Sequence, residues 1–270
     1  MKTSSLFLTI LCIACTAVQP GVAQSQSASK KLVNPPGTIR LSDSTYMDET
    51  EVSNMFYCEY LSWLKKNDPA NYDAALPDTT VWRDKQNYNE PYVQYYLRHP
   101  AYWDYPVVGV SYEQATAYCQ WRTARVKEYT KATGKEKSKR YALYANVDYR
   151  LPTKEEWEGA ASGGYLDAPT GFLKLIAGDN KPKVWVRESW VLYAAETNND
   201  DIFKPVKSGA PNDLGFYNMI GNVSEMVMDK GVAKGGSAFN ALDECTINKQ
   251  SAYDRPSARV GFRCICIVKR

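Results

Sequence analysis

The sequence has a single histidine, His99, in 270 residues. One imidazole cannot build a usual zinc site, and after residue 23 no Cys-x-x-Cys pair offers the alternative ligands. The net charge is also small: 33 Lys and Arg residues against 30 Asp and Glu residues give a formal charge of +3. This balance gives no reason to expect a nucleic-acid partner. With 44% hydrophobic residues, the chain is instead long and apolar enough to bury a sizeable core.

The only long apolar run lies at the N-terminus. Lys2 provides a positive start, and residues 6–18 carry no charge. The run is shorter than the roughly 20 apolar residues that a membrane-spanning helix needs. It ends in the small residues 21–23 (Gly-Val-Ala), a pattern that a signal peptidase cuts. We therefore predict a signal peptide over residues 1–23.

Two alternatives to simple cleavage remain open for this leader. It can stay attached as an anchor, or Cys12 or Cys15 can be lipidated after cleavage. In each version the body of the protein is exported. Residues 24–36 are rich in Ser, Gln and Lys and predict a flexible spacer, which is followed by one domain over residues 37–270.

Capping patterns predict where the helices begin. Ser53 is expected to cap a helix that runs to about residue 66, with Phe56, Tyr60 and Leu64 on its buried stripe. Two capping boxes open further helices, at Ser111/Gln114 and at Thr153/Glu156.

The rest of the chain predicts loops and short strands. Residues 67–105 show no sustained hydrophobic periodicity, which predicts a long loop packed by its aromatic residues. His99 lies in this loop, and we expect it to be a surface or hydrogen-bonded histidine. Residues 260–268 are apolar on both faces, as in a central strand. A few helices in an irregular, loop-rich framework of strands predict an α+β fold.

Several segments, in a fixed order, carry a stronger signal. They are PVVGVSY (106–112), AYCQW (117–121), RLPTKEEW (150–157), NDLGFYNMIGNVSE (212–225), KGGSAF (234–239) and SARVGFRC (257–264). Together they closely resemble the formylglycine-generating enzyme family, also called the sulfatase-modifying factor family. The resemblance covers residues 37–268 and implies an irregular fold similar to that of C-type lectins.

The resemblance implies a structural calcium site in this domain. Its ligands are the side chains of Asn218 and Glu225 and the carbonyl oxygens of Gly221 and Val223, and clustered oxygens of this kind suit calcium. The alternative is an ordinary turn in which Glu225 makes a hydrogen bond. The family's other calcium site falls near residues 198–203, where the spacing is altered, so we do not transfer it.

The resemblance pairs only some of the cysteines. Removal of the leader leaves five of the seven cysteines. The resemblance implies a disulfide between Cys119 and Cys264, and the pairing of Cys58, Cys245 and Cys266 stays open.

Catalysis in the family needs two cysteines, five positions apart, that hold Cu(I) while a substrate cysteine is oxidised to formylglycine. Counting from Ser237, the first position is Asn240 and the second is Cys245. An amide is a poor ligand for Cu(I), which prefers thiolates. We therefore expect no copper and assign no catalytic residue. Cys245 is expected to be inert or disulfide-bonded, and a reactive thiol is the alternative.

These expectations favour a structural or interaction role over an enzymatic one. The tracts at 46–53 and 98–101 are similar to exported lipoproteins of bacterial type IX secretion and gliding-motility machinery. We expect a periplasmic or outer-membrane-associated protein whose partners are other envelope proteins. The alternatives are a copper-dependent oxidase that generates formylglycine and a calcium-dependent glycan- or peptide-binding module.

Overall fold

A computed structural model of the chain describes residues 32–83, 88–163, 203–209, 211–240 and 244–269. These residues belong to one unit, Leu32–Arg270. The predicted signal peptide over residues 1–23 and the first part of the predicted spacer lie outside the described residues, as does most of the second calcium region at residues 198–203.

Four α-helices occur in the described part of the chain, and their starts follow the local capping signals. Their bounds are α1 Asn54–Asn67, α2 Glu90–Tyr95, α3 Tyr112–Ala132 and α4 Lys154–Ala161. The Ser53 side chain accepts a hydrogen bond from the backbone N–H of Phe56, and both predicted capping boxes are complete. Each box satisfies backbone donors that the first helical turn leaves without a partner.

The described strands form two four-stranded sheets. The first has the order β1 (Thr38–Arg40), β2 (Thr45–Asp48), β8 (Ile265–Val268) and β3 (Val147–Arg150), with every pair antiparallel. The second has the order β6 (Gln250–Ala252), β5 (Val232–Lys234), β4 (Ser224–Met226) and β7 (Val260–Gly261). In it, β4 and β7 are parallel. Helices and short strands thus combine in the α+β fold that we predicted.

The single strand predicted over residues 260–268 is wrong, because the structure has two strands there in different sheets. Between β7 and β8, the carbonyl oxygens of Phe262 and Cys264 accept hydrogen bonds from the backbone N–H groups of Val52 and Asp48. The intervening residues therefore bond to the segment after β2 instead of extending either strand.

The buried stripe of α1 also differs from the prediction. Tyr60 and Leu64 are buried as expected, but Phe56 is 47% exposed. Tyr57 and Leu61 are buried as well, so the buried face of the helix combines two predicted positions with two that the prediction left out.

The long aromatic segment at 67–105 is more ordered than a loop, because it contains α2 and several short 3₁₀ turns. Aromatic side chains pack it down as predicted: the Trp82 ring centroid lies 4.6 Å from that of Tyr96. His99 is exposed, and its Nδ1 accepts a hydrogen bond from the Ala101 backbone N–H. It therefore caps a short turn, in agreement with its predicted role.

The last residues of the predicted spacer are attached to the domain. The Val33 backbone N–H donates to the Arg140 carbonyl, and Arg122 Nη2 donates to the Pro36 carbonyl. Within the described ranges, no helix combines the length and apolarity that crossing a bilayer requires.

Thr153→Ala should lower the free energy of unfolding by about 1 kcal/mol, the usual effect of losing an N-cap. The Glu156 backbone N–H would lose the Thr153 Oγ1 acceptor, which lies 3.2 Å away. Urea unfolding of the Thr153→Ala and Thr153→Ser variants measures the effect, because serine keeps the hydroxyl. Equal midpoints for the two variants would contradict it.

Candidate functional site

The turn at Ser237 occupies the position where the family's catalytic cysteines are expected. Asn240 Oδ1 accepts hydrogen bonds from Ser237 N at 3.0 Å and from Ser237 Oγ at 2.7 Å. Asn240 Nδ2 donates to Glu244 Oε2 at 3.1 Å. Both ends of the Asn240 amide are therefore used to hold the turn.

Cys245 packs beneath the same turn. Its side chain is 1% exposed, and its Sγ lies 3.7 Å from the Ser237 carbonyl oxygen. Gly236 has φ of +70°, and a Cβ placed on it would lie 2.5 Å from Cys245 Sγ. Only glycine fits this position without displacing the thiol. The structure thus brings Asn240 and Cys245 to the same serine but buries the thiol.

A buried ion pair joins Glu225 of β4 to Arg263, which lies between β7 and β8. Arg263 Nε and Nη2 donate to the two carboxylate oxygens of Glu225, each at 2.6 Å. Trp157 Nε1 donates to Glu225 Oε2 at 2.7 Å. All three side chains are essentially inaccessible to solvent. Such bidentate, charge-assisted contacts offset the cost of burying both charges.

A second buried carboxylate, Glu51, shares this guanidinium at a distance of 4.0 Å. Its oxygens accept hydrogen bonds from the side-chain amides of Asn222 at 2.8 Å and Asn218 at 3.2 Å. Burial raises the pKa of Glu51 to about 8, and the neighbouring Glu225 charge adds to this effect against the opposing influence of Arg263. The cluster therefore holds two acidic groups around one arginine.

Two of the predicted calcium ligands, Asn218 and Glu225, belong to this cluster. Asn218 is 1% exposed, and its Oδ1 has no hydrogen-bond partner. A buried acceptor without a donor suits a cation. Glu225, however, accepts hydrogen bonds from Arg263 and Trp157, as the alternative of an ordinary turn predicts, so the calcium site stays a prediction. Among the described residues, no group of three His, Cys, Asp or Glu side chains is placed to hold a metal ion.

Cys119 and Cys264 meet where α3 packs on the first sheet. Their sulfur atoms are 3.4 Å apart and are thiols in this structure, so the disulfide stays a prediction. Burial raises the pKa of Cys264 well above its ordinary value, and it raises that of Cys266 to about 12. Cys58 is half-buried, and its thiol lies 3.3 Å from the Leu97 carbonyl.

The order of the motifs and the shape of the fold lead to one family. The sulfatase-modifying factor enzyme 1-like domain matches residues 12–267. The chain belongs to this family. The positions of Asn240 and Cys245 can therefore be compared with those of its relatives by motif.

Two mammalian relatives of this fold differ in their names, since one is named as an enzyme and the other as an inactive protein. The chain is 28% identical over 192 residues to the formylglycine-generating enzyme of Bos taurus, covering 60% of this chain and 44% of that protein. It is 29% identical over 177 residues to the inactive C-alpha-formylglycine-generating enzyme 2 of the same species, covering 60% and 50%. The chain thus spans about half the length of these relatives.

A solved structure supports the fold. The crystal structure of CarF superposes with a TM-score of 0.51 at 18% identity, covering 88% of this chain and 95% of that one. At this identity the match supports the fold alone.

Sequence reasoning missed the partners of the buried charges. Arg263 is the only charge in residues 260–268, and a charge inside an apolar run must find a partner when it is buried. That signal was available, but the identity of Glu51 as a partner was not. The buried Lys234, whose Nζ lies 2.6 Å from Glu158 Oε1, was also missed.

The native protein should contain a Cys119–Cys264 disulfide. Peptide mapping without reduction should recover the linked pair, and Cys119→Ser should lower the free energy of unfolding by about 2–4 kcal/mol because the bridge closes a long loop. Cys58→Ser is the matched control and should have little effect. Alkylation of both Cys119 and Cys264 in unreduced protein would refute the bridge.

Proposed function

We propose that this family member is an exported, non-catalytic protein that acts through contacts with other envelope proteins. The single observation that carries the proposal is the use of Asn240. Its amide fills the position of the first copper-binding cysteine and holds the Ser237 turn from both ends. A two-thiolate Cu(I) site cannot form with only one thiol.

The burial of Cys245 supports the same conclusion. A reactive thiol needs solvent access and a nearby cation that favours the thiolate. Cys245 is 1% exposed and lies against a serine carbonyl. A relative that carries the word inactive in its name adds weight, because it indicates that this fold persists without the activity.

The finer part of the proposal concerns the setting. The N-terminal leader and the tracts at 46–53 and 98–101 favour a component of type IX secretion or gliding-motility machinery in a bacterial envelope. In that setting the domain is a scaffold, either lipid-anchored through its leader or released by cleavage.

The test is affinity purification of the tagged full chain from the native envelope fraction after mild cross-linking. We expect one or more envelope proteins to be recovered in constant ratio to the bait. The Asn240→Cys variant should recover the same partners, because the proposed role does not use the copper site. Recovery of the monomer alone would count against the scaffold.

The competing enzyme is tested on the same preparations. The wild-type chain should bind no Cu(I) tightly and should not convert a cysteine peptide to formylglycine, as followed by mass spectrometry. Tight stoichiometric copper together with product formation would replace the scaffold with an oxidase that uses Cys245 and another ligand.

We further propose that the domain binds one structural calcium ion. Asn218 Oδ1, the carbonyls of Gly221 and Val223, and one oxygen of Glu225 would hold it. The ion would supply the missing partner of the Asn218 acceptor.

Removing calcium should therefore lower the thermal unfolding midpoint of the full chain. Scans in calcium and in EGTA should differ by several degrees, because a ligand that binds only the folded state stabilises it. Asn218→Ala should abolish the difference, whereas Asn240→Ala should preserve it. Identical midpoints for the wild type in calcium and EGTA would rule out the site.

A further inference from the structure

A continuous groove runs between α1 and α3 on the protein surface. One cavity of about 460 Å³ is lined by Phe56, Trp121 and Tyr129. A second, of about 410 Å³, shares Trp121 and Tyr129 and adds Trp63. A third, of about 420 Å³, continues past Trp63 and Trp121 to Gln114. We call this surface, from Gln114 to Tyr129, the α1–α3 groove.

The length of the groove matches a short peptide. From Gln114 to Tyr129 the helix rises about 22 Å, at about 1.5 Å per residue. An extended chain advances about 3.3 Å per residue, so about seven residues would fill this length. The aromatic rings of Phe56 and Tyr129, 47% and 49% exposed, stand at one end as apolar contact surfaces.

The charges of the groove indicate which side chain the peptide carries. Each cationic side chain in its wall already has a carboxylate partner: Arg122 with Asp48, Lys207 with Glu49 and Arg125 with Glu128. The exposed Glu59 lines two of the cavities and has no ion pair with any described residue. An unpaired carboxylate beside aromatic rings favours a basic side chain.

We propose that the α1–α3 groove binds an extended segment of about seven residues from a partner protein. The segment places a Lys or Arg against Glu59 and an apolar side chain between Phe56 and Tyr129. This inference rests on the proposed scaffold function and adds the site and the chemistry of one partner contact.

The probe is a phage-displayed library of random heptapeptides, selected on the immobilised full chain. Enriched peptides are synthesised, and their affinities are measured by calorimetry. Glu59→Gln should weaken binding about 3- to 5-fold, because one exposed ion pair is lost. Trp121→Phe should weaken it about 10-fold by reducing the aromatic surface at the centre of the groove. Trp103→Phe, an exposed tryptophan elsewhere, should leave it unchanged.

Near-ultraviolet circular dichroism checks that each variant is folded, and Glu59→Gln keeps the test valid if Trp121→Phe is not. Failure to enrich any heptapeptide, or equal binding to all variants, would overturn the proposal. Binding that appears only after deletion of residues 24–31 would show that the chain's own segment occupies the groove, against the proposal. Self-association that is lost in Trp121→Phe would show that a second copy occupies it, which would also overturn the proposal.

The purified envelope partners separate this inference from the scaffold proposal. Partners recovered equally by the wild type, Glu59→Gln and Trp121→Phe would refute the groove and leave the scaffold standing. Heptapeptides that bind as expected, with no envelope partner recovered, would refute the scaffold and leave the groove.

Discussion

The guanidinium of Arg263 ties together parts of the chain that are far apart in sequence. It binds both oxygens of Glu225 in β4, and it donates to the carbonyls of Asp48, Glu49 and Tyr217. One side chain thus joins the second sheet, the end of β2 and the loop that contains Tyr217. Removing either charge would break this buried pair, a loss typically of about 3–5 kcal/mol. Trp157 and Glu51 also contact the pair.

Features encoded within a few residues could be predicted from the sequence. The capping boxes at Ser111 and Thr153 need only a partner three residues away, and both formed as predicted. The strand over residues 260–268 could not be predicted, because its interruption depends on bonds to Asp48 and Val52, more than 200 positions earlier. The hydrophobic pattern of a short segment does not depend on such distant pairing. Periodicity alone therefore predicted one strand where the structure has two.

The same division holds for the candidate site. Counting along the Gly-Gly-Ser motif singled out Asn240 and Cys245, and both lie beside Ser237 in the structure. The count could not reveal that the asparagine amide holds the turn from both ends, because that role depends on the backbone path. Nor could it find Glu51, whose two asparagine partners lie more than 160 residues away. Buried polar clusters of this kind are assembled by the tertiary fold, and their members give no signal in isolation.

The passage of one segment through both sheets has a consequence for the order of folding. β7 pairs with β4, and β8 lies between β2 and β3, so residues 260–268 contribute one strand to each sheet. β2 and β3 therefore cannot join the same sheet until β8 lies between them. Completion of the first sheet thus waits for a strand that follows β3 by more than 100 residues.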